Sequence, residues 1–307
     1  MNNPVTLQVR SSLISPESMA QFVRHAYFPD DQVDCALMSF GDNDTYVISV
    51  NGTQYALRVY RYNKYWLQNE SDYLFELDWL AYLHQKGLSV SYPIQRKDGG
   101  FLGNVEAPEG IRYCALFSWA EGAVTGYDAM TETRCFRLGE AVANIHIESD
   151  AFQTKHARLK IDLEFLLDKP LERIKHFLKD HRMKDVAQIA QHADRLKSKI
   201  TDLNLDDSWG IIGGDFHGWN LHFTDNDDLT LFDFDLCGYG WRAFDLAVYR
   251  WEQGKKEGKW IPFLNGYQSL RTLSQAELDA IPLFVDIRQI WMMGSHTTYP
   301  FATRWSL

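Results

Sequence analysis

The sequence lacks a long apolar run and lacks closely spaced cysteines. No segment approaches the ~18 apolar residues that a membrane-spanning helix needs, so we expect no membrane partner. The first eighteen residues have no apolar core of the kind found in secretory signals. The four cysteines are scattered without a Cys-x-x-Cys pair, which disfavours a zinc site or a disulfide framework. Reduced thiols in a chain without a leader predict a cytoplasmic protein.

The sequence also lacks an excess of positive charge. Its 31 Lys and Arg residues stand against 41 Asp and Glu residues, and the formal net charge is -10. Binding to a phosphate backbone calls for a basic stripe, so this composition disfavours a nucleic-acid partner. Hydrophobic residues make up 45% of the 307, which is enough for a sizeable core.

Hydrophobic patterning predicts an α+β fold. Residues 44–62 read as two strands joined by the turn dipeptide Asn51-Gly52, and residues 67–87 read as an amphipathic helix that ends at a glycine. We therefore predict an N-terminal lobe over 1–117, built from an antiparallel sheet and one helix, that binds nucleotide. A connector over 118–122 and a mainly helical lobe over 123–307 follow it. Helical periodicity covers 131–148, about 160–201, and 242 onward.

Within the helical lobe, two short strands are predicted to flank the segment GGDFHGWNLHF, residues 213–223. Asp215 and Asn220 have the Asp-x-x-x-x-Asn spacing of a kinase catalytic loop, which we place at 213–220. In that chemistry the aspartate accepts the proton of the attacking hydroxyl, and the asparagine oxygen binds Mg²⁺. A simple turn is the alternative reading, because Asp, Asn and Gly are common turn residues.

Two further aspartates lie in an apolar run soon after this loop. A polar turn and a second strand bring the chain back, so Asp233 is predicted to face Asn220 from a metal-binding strand at 231–235. Mg²⁺ usually takes one or two carboxylates together with phosphate oxygens. Asp233 and Asp235 are costly to bury between apolar neighbours without a cation or hydrogen bonds, which weakens the reading as a simple turn.

The motifs GGDFHGWN, LFDFD and AFDLA resemble those of the phosphotransferase family that includes aminoglycoside phosphotransferases, choline kinases and homoserine kinases. That family carries His-Gly-Asp-x-His-x-x-Asn followed by Ile-Asp-Phe/Trp-Asp/Glu, and Gly213 stands where it has its first histidine. The resemblance implies a bilobal, protein-kinase-like fold and an ATP- and Mg²⁺-dependent transfer to a hydroxyl acceptor. It implies that Asp215 is catalytic, that Asn220 and Asp233 bind the metal, and that Asp245 is structural.

A kinase site also needs a cation on the nucleotide phosphates, held by a carboxylate on a helix. Arg58 lies in the strand YALRVYR, where kinases place a lysine, and Ala56 two residues earlier is small enough for adenine to stack on it. Glu76 lies at the edge of the buried stripe of the helix and is the expected partner of Arg58. Glu70, near the helix start, is the competing partner.

Two further segments complete the predicted nucleotide site. Gly41 is the single glycine of the short loop before the predicted hairpin, at the place of a phosphate-covering loop. The segment LFSWAEG resembles the hinge of the family, where adenine would bond to main-chain groups near Ser118 and Ala120.

Several alternatives remain open at this stage. The segment GDFHG also fits a two-metal phosphoesterase, although no Gly-Asn-His segment follows it. A nucleotide-binding regulator without catalysis and a Ser/Thr protein kinase of the same fold are the other candidates. We expect His146 to be a core histidine and His217 to orient the loop.

The acceptor is the least determined part of this reading. The regions 150–205 and beyond Trp241 are expected to shape its pocket. Asp286 is a candidate partner for an acceptor amine. Four tryptophans could either cage an ammonium group or pack in the core, namely Trp241, Trp251, Trp260 and Trp291.

Overall fold

The computed structural model describes residues 9–124, 129–178, 181–254 and 257–298. Residues 1–8, part of the N-terminal segment in which the sequence predicted no secretory signal, lie outside the described residues. Contacts divide the chain into two compact units. The first contains the residues up to Ala81 together with Ser91–Trp119, and the second contains Tyr82–Val90 together with the residues from Ala120 onward. The chain therefore changes unit between Trp119 and Ala120, inside the segment 118–122.

The segment Tyr82–Val90 belongs to the second unit, although the sequence placed everything before 118 in the first. Two hydrogen bonds between this segment and other residues of the second unit explain the difference. The Tyr82 hydroxyl donates to the carbonyl of Glu148 at 3.1 Å. The Leu231 N–H donates to the carbonyl of Ser89 at 2.9 Å.

The first unit is built on one antiparallel sheet in the order β1-β2-β3-β5-β4. Its strands are β1 (Val33–Ser39), β2 (Asn43–Val50), β3 (Thr53–Tyr60), β4 (Gly103–Ala107) and β5 (Gly110–Ser118). Two helices belong to it in whole or in part, α1 (Pro16–Ala26) and α2 (Glu70–Gln85). The predicted hairpin and helix are β2–β3 and α2, whereas α1 and β1 were not predicted.

The turn between β2 and β3 follows the sequence signal. Asn51 and Gly52 have φ angles of 50° and 82°, the positive values that a type I′ turn requires. This turn sets the register, in which Thr45 pairs with Arg58 and Val47 pairs with Ala56. Because side chains alternate along a strand, Ala56 and Arg58 share one face of the sheet.

The opposite face of the sheet supports the core of the first unit. Arg112 adds a polar anchor there, because its buried guanidinium donates to Asp44 Oδ2 at 2.8 Å and to the carbonyl of Tyr60 at 3.1 Å. The apolar residues of this core include Met19, Val23, Tyr46, Ile48, Leu57, Val59 and Leu116.

The second unit is mainly helical, and with the sheet of the first it confirms the α+β class. Its helices are α3 (Glu132–Ser149), α4 (Lys169–Leu178), α5 (Met183–Asp202), α6 (Arg242–Gln253), α7 (Glu257–Gln268) and α8 (Gln275–Thr298). The single helical stretch predicted for 160–201 is instead divided. It comprises a short strand β7 (Lys160–Ile161), a π-helical turn (Glu164–Asp168), α4 and α5.

Short strands surround the predicted catalytic loop. They are β6 (Ala123–Val124), β8 (Trp209–Ile212), β9 (Leu221–Phe223), β10 (Leu229–Leu231) and β11 (Gly238–Trp241). The loop joins β8 to β9, and β9 pairs with β10 in an antiparallel hairpin. The strand predicted at 231–235 ends at Leu231, so Asp233 lies in the connection after it.

Two glycines let α3 and α7 cross closely. A Cβ atom on Gly139 would come within 2.0 Å of the carbonyl oxygen of Phe263, and one on Gly266 would come within 2.0 Å of that of Phe136. This close crossing brings His146 of α3 beside Tyr267 of α7. No helix in the described ranges is both long and apolar enough to cross a membrane.

Candidate active site

The catalytic loop is held at its start by Asp245, in the first turn of α6. This fully buried carboxylate accepts the N–H of Gly213 at 2.8 Å on Oδ2 and the N–H of Gly214 at 2.7 Å on Oδ1. Hydrogen bonds to a carboxylate are stronger than neutral ones, so Asp245 fixes the point where β8 becomes the loop. This geometry agrees with the structural role expected for Asp245.

Asp245 is oriented in turn by His146. The Nε2 atom of His146 lies 3.0 Å from Asp245 Oδ2, and its Nδ1 atom lies 2.9 Å from the Tyr267 hydroxyl. Burial lowers the pKa of His146, so the ring is neutral and donates to Asp245 through Nε2. The prediction of a satisfied core histidine is confirmed.

The glycine at position 213 has a steric explanation in this chain. A Cβ atom at this position would lie 2.6 Å from the ring of Phe216, which is itself buried and packs edge-on against Phe234 at 5.7 Å. The Phe216 ring therefore occupies the space next to residue 213. The departure from the histidine of the family pattern is accommodated by a neighbour in the same loop.

We expect Gly213→His to destabilise the protein by about 1–3 kcal/mol, the usual range for overpacking a filled interior. Combining it with Phe216→Ala makes room for the imidazole and recovers part of that loss. Chemical denaturation of the two variants tests this. A double variant less stable than Gly213→His alone contradicts the steric explanation.

Asp215 lies in the middle of the loop between two nitrogen donors. The guanidinium Nη2 of Arg288 bonds to Asp215 Oδ1, and Nε2 of His217 lies 3.2 Å from Asp215 Oδ2. The Trp219 N–H donates to Nδ1 of His217 at 3.2 Å, which leaves Nε2 as the donor to Asp215. His217 thus orients the Asp215 carboxylate, in line with the role expected for His217.

The charges around Asp215 keep it ionised. Burial by itself raises the pKa of the Asp215 carboxyl, but the positive charge of Arg288 and the hydrogen bonds from His217 and Arg288 outweigh burial, so that this pKa falls well below its usual range. The side chain of Asp215 is 26% exposed, whereas that of Arg288 is 3% exposed. A carboxylate in this state remains ionised and accepts hydrogen bonds, but it is a weak base.

Sequence reasoning missed Arg288. It lies in α8 with its guanidinium 4.6 Å from the ring centroid of Trp291 and 5.8 Å from that of Trp251. The signal was present, since an arginine inside the apolar run FVDIRQIW is expensive to bury without an anionic partner. The cost of burying a charge between apolar neighbours singled out Asp233 in the sequence, and it applies equally to Arg288.

Asn220 and Asp233 carry the donor atoms expected for a divalent cation. The amide nitrogen of Asn220 donates to the carbonyl of Asp215 at 3.1 Å, so the amide oxygen is the end left for a ligand. The Phe232 N–H donates to the carbonyl of Asn220 at 3.0 Å, which brings the segment that carries Asp233 beside it. An amide oxygen and a carboxylate are ligands that Mg²⁺ accepts, so these residues fit the metal.

The backbone around Asp233 is unusual. Asp233 has a φ angle of 65°, in the left-handed region that non-glycine residues seldom adopt. The buried Arg158 fixes the residues after it by donating to the carbonyls of Asp235 and Cys237. A strained backbone conformation that the surrounding structure holds in place is typical of functional sites.

Within the described residues, no three His, Cys, Asp or Glu side chains converge into a metal-binding group. The site expected here is of a different kind, with one amide and one carboxylate.

A cavity of about 790 Å³ in the second unit opens beside the loop. Its walls include His217 and Arg288, the two side chains bonded to Asp215. They also include Glu252, whose carboxylate accepts the Gly218 N–H at 2.9 Å. Burial raises the pKa of Glu252. Sequence reasoning missed this residue, which stands at the end of an amphipathic helix without a motif.

The four tryptophans divide between the core and this cavity. Trp251 lines the cavity. Trp241 packs against Phe284 at 5.6 Å, and Trp260 packs against Phe263 at 5.8 Å. Trp291 is buried beneath Arg288.

Asp286 is not in the wall of the large cavity as the structure describes it. Its carboxylate lies 3.4 Å from His192 Nε2, and both residues line an adjoining cavity of about 240 Å³, which shares Ile189, Gln289 and Met293 with the larger one. Successive residues of a helix point in different directions, so Arg288 faces the catalytic loop while Asp286 faces α5. Its position gives no support to the expected contact with an acceptor amine.

In the first unit, Arg58 and Glu76 form the expected pair. Arg58 Nη1 lies 2.8 Å from Glu76 Oε1, and the Tyr60 hydroxyl donates to Glu76 Oε2 at 3.0 Å. Glu76 is fully buried, so the pair is held in a defined geometry. Arg58 also stacks over Phe117 at 4.8 Å, and Ala56 lies on the same face of β3. Glu70, the competing partner, lies 3.5 Å from the Tyr113 hydroxyl instead.

The other residues predicted to bind the nucleotide differ in their exposure and in the hydrogen bonds that their main-chain groups already make. Gly41 lies in the exposed connection between β1 and β2, with open space around it. The Ser118 N–H donates to the carbonyl of Tyr92 at 2.9 Å, so it has no hydrogen left for a purine. The carbonyl of Ala120 accepts His222 Nδ1 at 2.8 Å. Both groups thus already have a hydrogen-bond partner within the protein, and recognition of adenine by main-chain groups near Ser118 and Ala120 stays a prediction.

A model of the phosphotransferase enzyme family matches residues 39–269, about three quarters of the chain. The chain belongs to this family. The match includes both Arg58 and Glu76 and the whole segment from Asp215 to Asp233. Family membership also disposes of the phosphoesterase alternative, which shared only the GDFHG segment.

Relatives of this phosphotransferase include kinases of small molecules. The homoserine kinase of Agrobacterium fabrum is 32% identical over 231 residues, which cover 70% of this chain and 65% of that protein. The structure of a microcompartment-associated aminopropanol kinase is 25% identical with a TM-score of 0.76, covering 91% of this chain and 88% of that one.

A third structure shows the shared fold. An amicoumacin kinase, hAmiN, in complex with AMP-PNP, Ca²⁺ and Ami is 21% identical, with a TM-score of 0.77, covering 96% of this chain and 89% of that one. The phosphotransferase described here is thus a small-molecule kinase that transfers phosphate to a hydroxyl group.

Proposed function

We propose that this phosphotransferase transfers the γ-phosphate of ATP to a hydroxyl of an amine-bearing small molecule, an amino alcohol or an aminoglycoside-like compound. The observation that carries the proposal is the ionised Asp215, held by Arg288 and His217, which both line a cavity of about 790 Å³. The named relatives support it, because homoserine and aminopropanol each carry a hydroxyl and an amine.

Asp215 orients the acceptor in this proposal. The hydroxyl donates a hydrogen bond to the carboxylate, its oxygen forms a bond to the γ-phosphorus, and the bond to the bridging oxygen of ADP breaks. Because the pKa of Asp215 is low, the hydroxyl proton passes on to solvent and does not stay on the carboxylate. Phosphoryl transfer depends mainly on positioning and charge stabilisation, so a weak base suffices.

The remaining residues hold the nucleotide. Asn220 and Asp233 would bind Mg²⁺, which neutralises charge on the phosphate oxygens when bound. Arg58 would contact the phosphates, with Glu76 and Tyr60 fixing its guanidinium. Gly41, Ala56 and the main chain near Ala120 complete the proposed nucleotide site.

Replacing Asp233 by glycine separates fold from function. Glycine adopts the φ of 65° without strain, so we expect the free energy of unfolding to stay within about 1 kcal/mol of wild type. The carboxylate is lost, so the Mg²⁺ concentration needed for half-maximal activity rises at least about tenfold. Denaturation and a Mg²⁺ titration measure the two effects. An unchanged Mg²⁺ requirement contradicts the assignment of Asp233.

The test of the proposed function is a phosphorylation screen with ATP and Mg²⁺. The acceptors are amino alcohols, homoserine, aminoglycosides, their amine-free analogues and a generic protein. We expect an Asp215-dependent phosphate ester on at least one amine-bearing alcohol. Ester formation only on amine-free alcohols, or only on the protein, overturns the proposal. So does ATP binding without transfer to any acceptor.

A further inference from the structure

The cavity beside the catalytic loop has mostly apolar walls. Phe177 and Trp219 are 64% and 59% exposed, although both are large hydrophobic residues. Large apolar side chains left open around one cavity indicate a site for an apolar ligand surface. The apolar lining residues include Phe177, Ile189, Trp219, Trp251, Met292 and Met293.

The two arginines in the cavity wall are each paired with an aspartate. Arg288 is paired with Asp215, and Arg182 is paired with Asp185. Glu252 is different. Within the described residues its oxygens accept hydrogen bonds from the Gly218 N–H and the Gln253 amide, and no cationic side chain pairs with it. Among the described residues of this wall, Glu252 is thus a carboxylate without a salt bridge to Lys or Arg.

We propose that the acceptor is a monocation with a bulky apolar body, whose ammonium group binds Glu252 while its body packs between Trp219, Trp251 and Phe177. This inference rests on the proposed function and narrows it. An ammonium beside Glu252 would give this half-buried carboxylate a partner of opposite charge. The aromatic rings of Trp219 and Trp251, which line the same cavity, also favour a cation.

The size of the cavity and its mostly apolar walls disfavour two acceptor types that the broader family suggests. These are homoserine, with four carbons, and the polycationic aminoglycosides. A cavity of about 790 Å³ lies within the range of about 300–1,000 Å³ that holds drug-sized ligands, so a four-carbon acceptor leaves most of it unfilled. A polycationic sugar would bring several ammonium groups against one carboxylate and a mainly apolar wall. Its remaining charges would be desolvated without partners.

The experiment uses three amino alcohols of increasing apolar size with the full-length protein, ATP and Mg²⁺. They are 2-amino-1-propanol, phenylalaninol and its 4-biphenyl homologue, compared with homoserine and kanamycin. We expect kcat/KM to rise at least about tenfold from 2-amino-1-propanol to phenylalaninol, because the ring is buried, and to rise again for the biphenyl compound. Highest kcat/KM for homoserine, 2-amino-1-propanol or kanamycin overturns the inference while leaving the proposed function intact. Absence of any ester defeats both.

The contribution of Glu252 is tested with a neutral isostere, 2-methyl-3-phenylpropan-1-ol. Wild type should prefer phenylalaninol over it by about 10-fold or more, and Glu252→Gln should abolish that preference. Glutamine keeps an oxygen for the Gly218 N–H, so the loss of kcat/KM should fall mainly on phenylalaninol and much less on the isostere. An equal loss on both substrates shows that Glu252 only positions the loop, and contradicts the inference.

A second variant tests the apolar wall independently of Glu252. Trp219 is largely exposed, so Trp219→Ala is compatible with folding. It should raise KM for phenylalaninol about tenfold with little change in kcat, and leave KM for 2-amino-1-propanol nearly unchanged. An unchanged KM for phenylalaninol contradicts packing against Trp219.

Discussion

We expect Asp215→Asn to lower turnover about 10²–10⁴-fold while ATP binding is retained. The asparagine keeps the size of the side chain but loses the negative charge that holds the acceptor hydroxyl. The nucleotide contacts proposed for Arg58, Asn220 and Asp233 do not depend on that charge. Steady-state kinetics and a direct measurement of ATP binding separate the two effects. Turnover close to wild type contradicts the catalytic role of Asp215.

The variant also leaves Arg288 without its anionic partner. Because the Arg288 side chain is 3% exposed, we expect a loss of about 1–3 kcal/mol in the free energy of unfolding. The double variant Asp215→Asn/Arg288→Met removes both charges and should recover most of that stability. Its turnover should stay as low as that of the single variant. Recovery of turnover together with stability would show that Asp215 acts only through the fold.

The largest loss of stability is expected for Asp245→Ala. The change removes the acceptor for two loop N–H groups at 2.8 and 2.7 Å and the partner of His146. All of these groups are buried, so we expect a loss of about 3–5 kcal/mol. That is a large part of the roughly 5–15 kcal/mol that stabilises a typical domain. Urea denaturation measures it.

Asp286→Ala is the matched control for this change. It removes an aspartate from a helix of the same unit, but its side chain is 53% exposed. We expect a change within about 0.5 kcal/mol, as for most surface substitutions. Equal losses in the two variants would contradict the anchoring role of Asp245. Residual folded Asp245→Ala should also turn over slowly, because the start of the catalytic loop is no longer fixed.

Much of this protein could be predicted from local patterns. The hairpin turn at Asn51-Gly52 and the helix that carries Glu76 follow from dihedral preferences and helical periodicity, which act over a few residues. The spacing of Asp215 and Asn220 was informative because a short loop fixes how its own side chains relate. The pairing of Arg58 with Glu76 followed from the position of Glu76 at the edge of a buried helical stripe.

Contacts between residues far apart in the chain could not be predicted in this way. Arg288 is 73 residues from Asp215, and Glu252 is 34 residues from Gly218, yet each bonds to the catalytic loop. No short-range pattern records which helix faces which loop, and Arg288 was missed for that reason. The filling of the space beside Gly213 by Phe216 is likewise a matter of packing.

The sequence by itself determined the α+β class and predicted a catalytic loop and oxygen donors for a divalent cation, because these depend on periodicity and on fixed spacings. Tertiary structure decided the charge state of Asp215, the anchoring of its loop and the shape of the neighbouring cavity. Those properties depend on which groups share a desolvated space, and distant segments meet there only after the chain has folded.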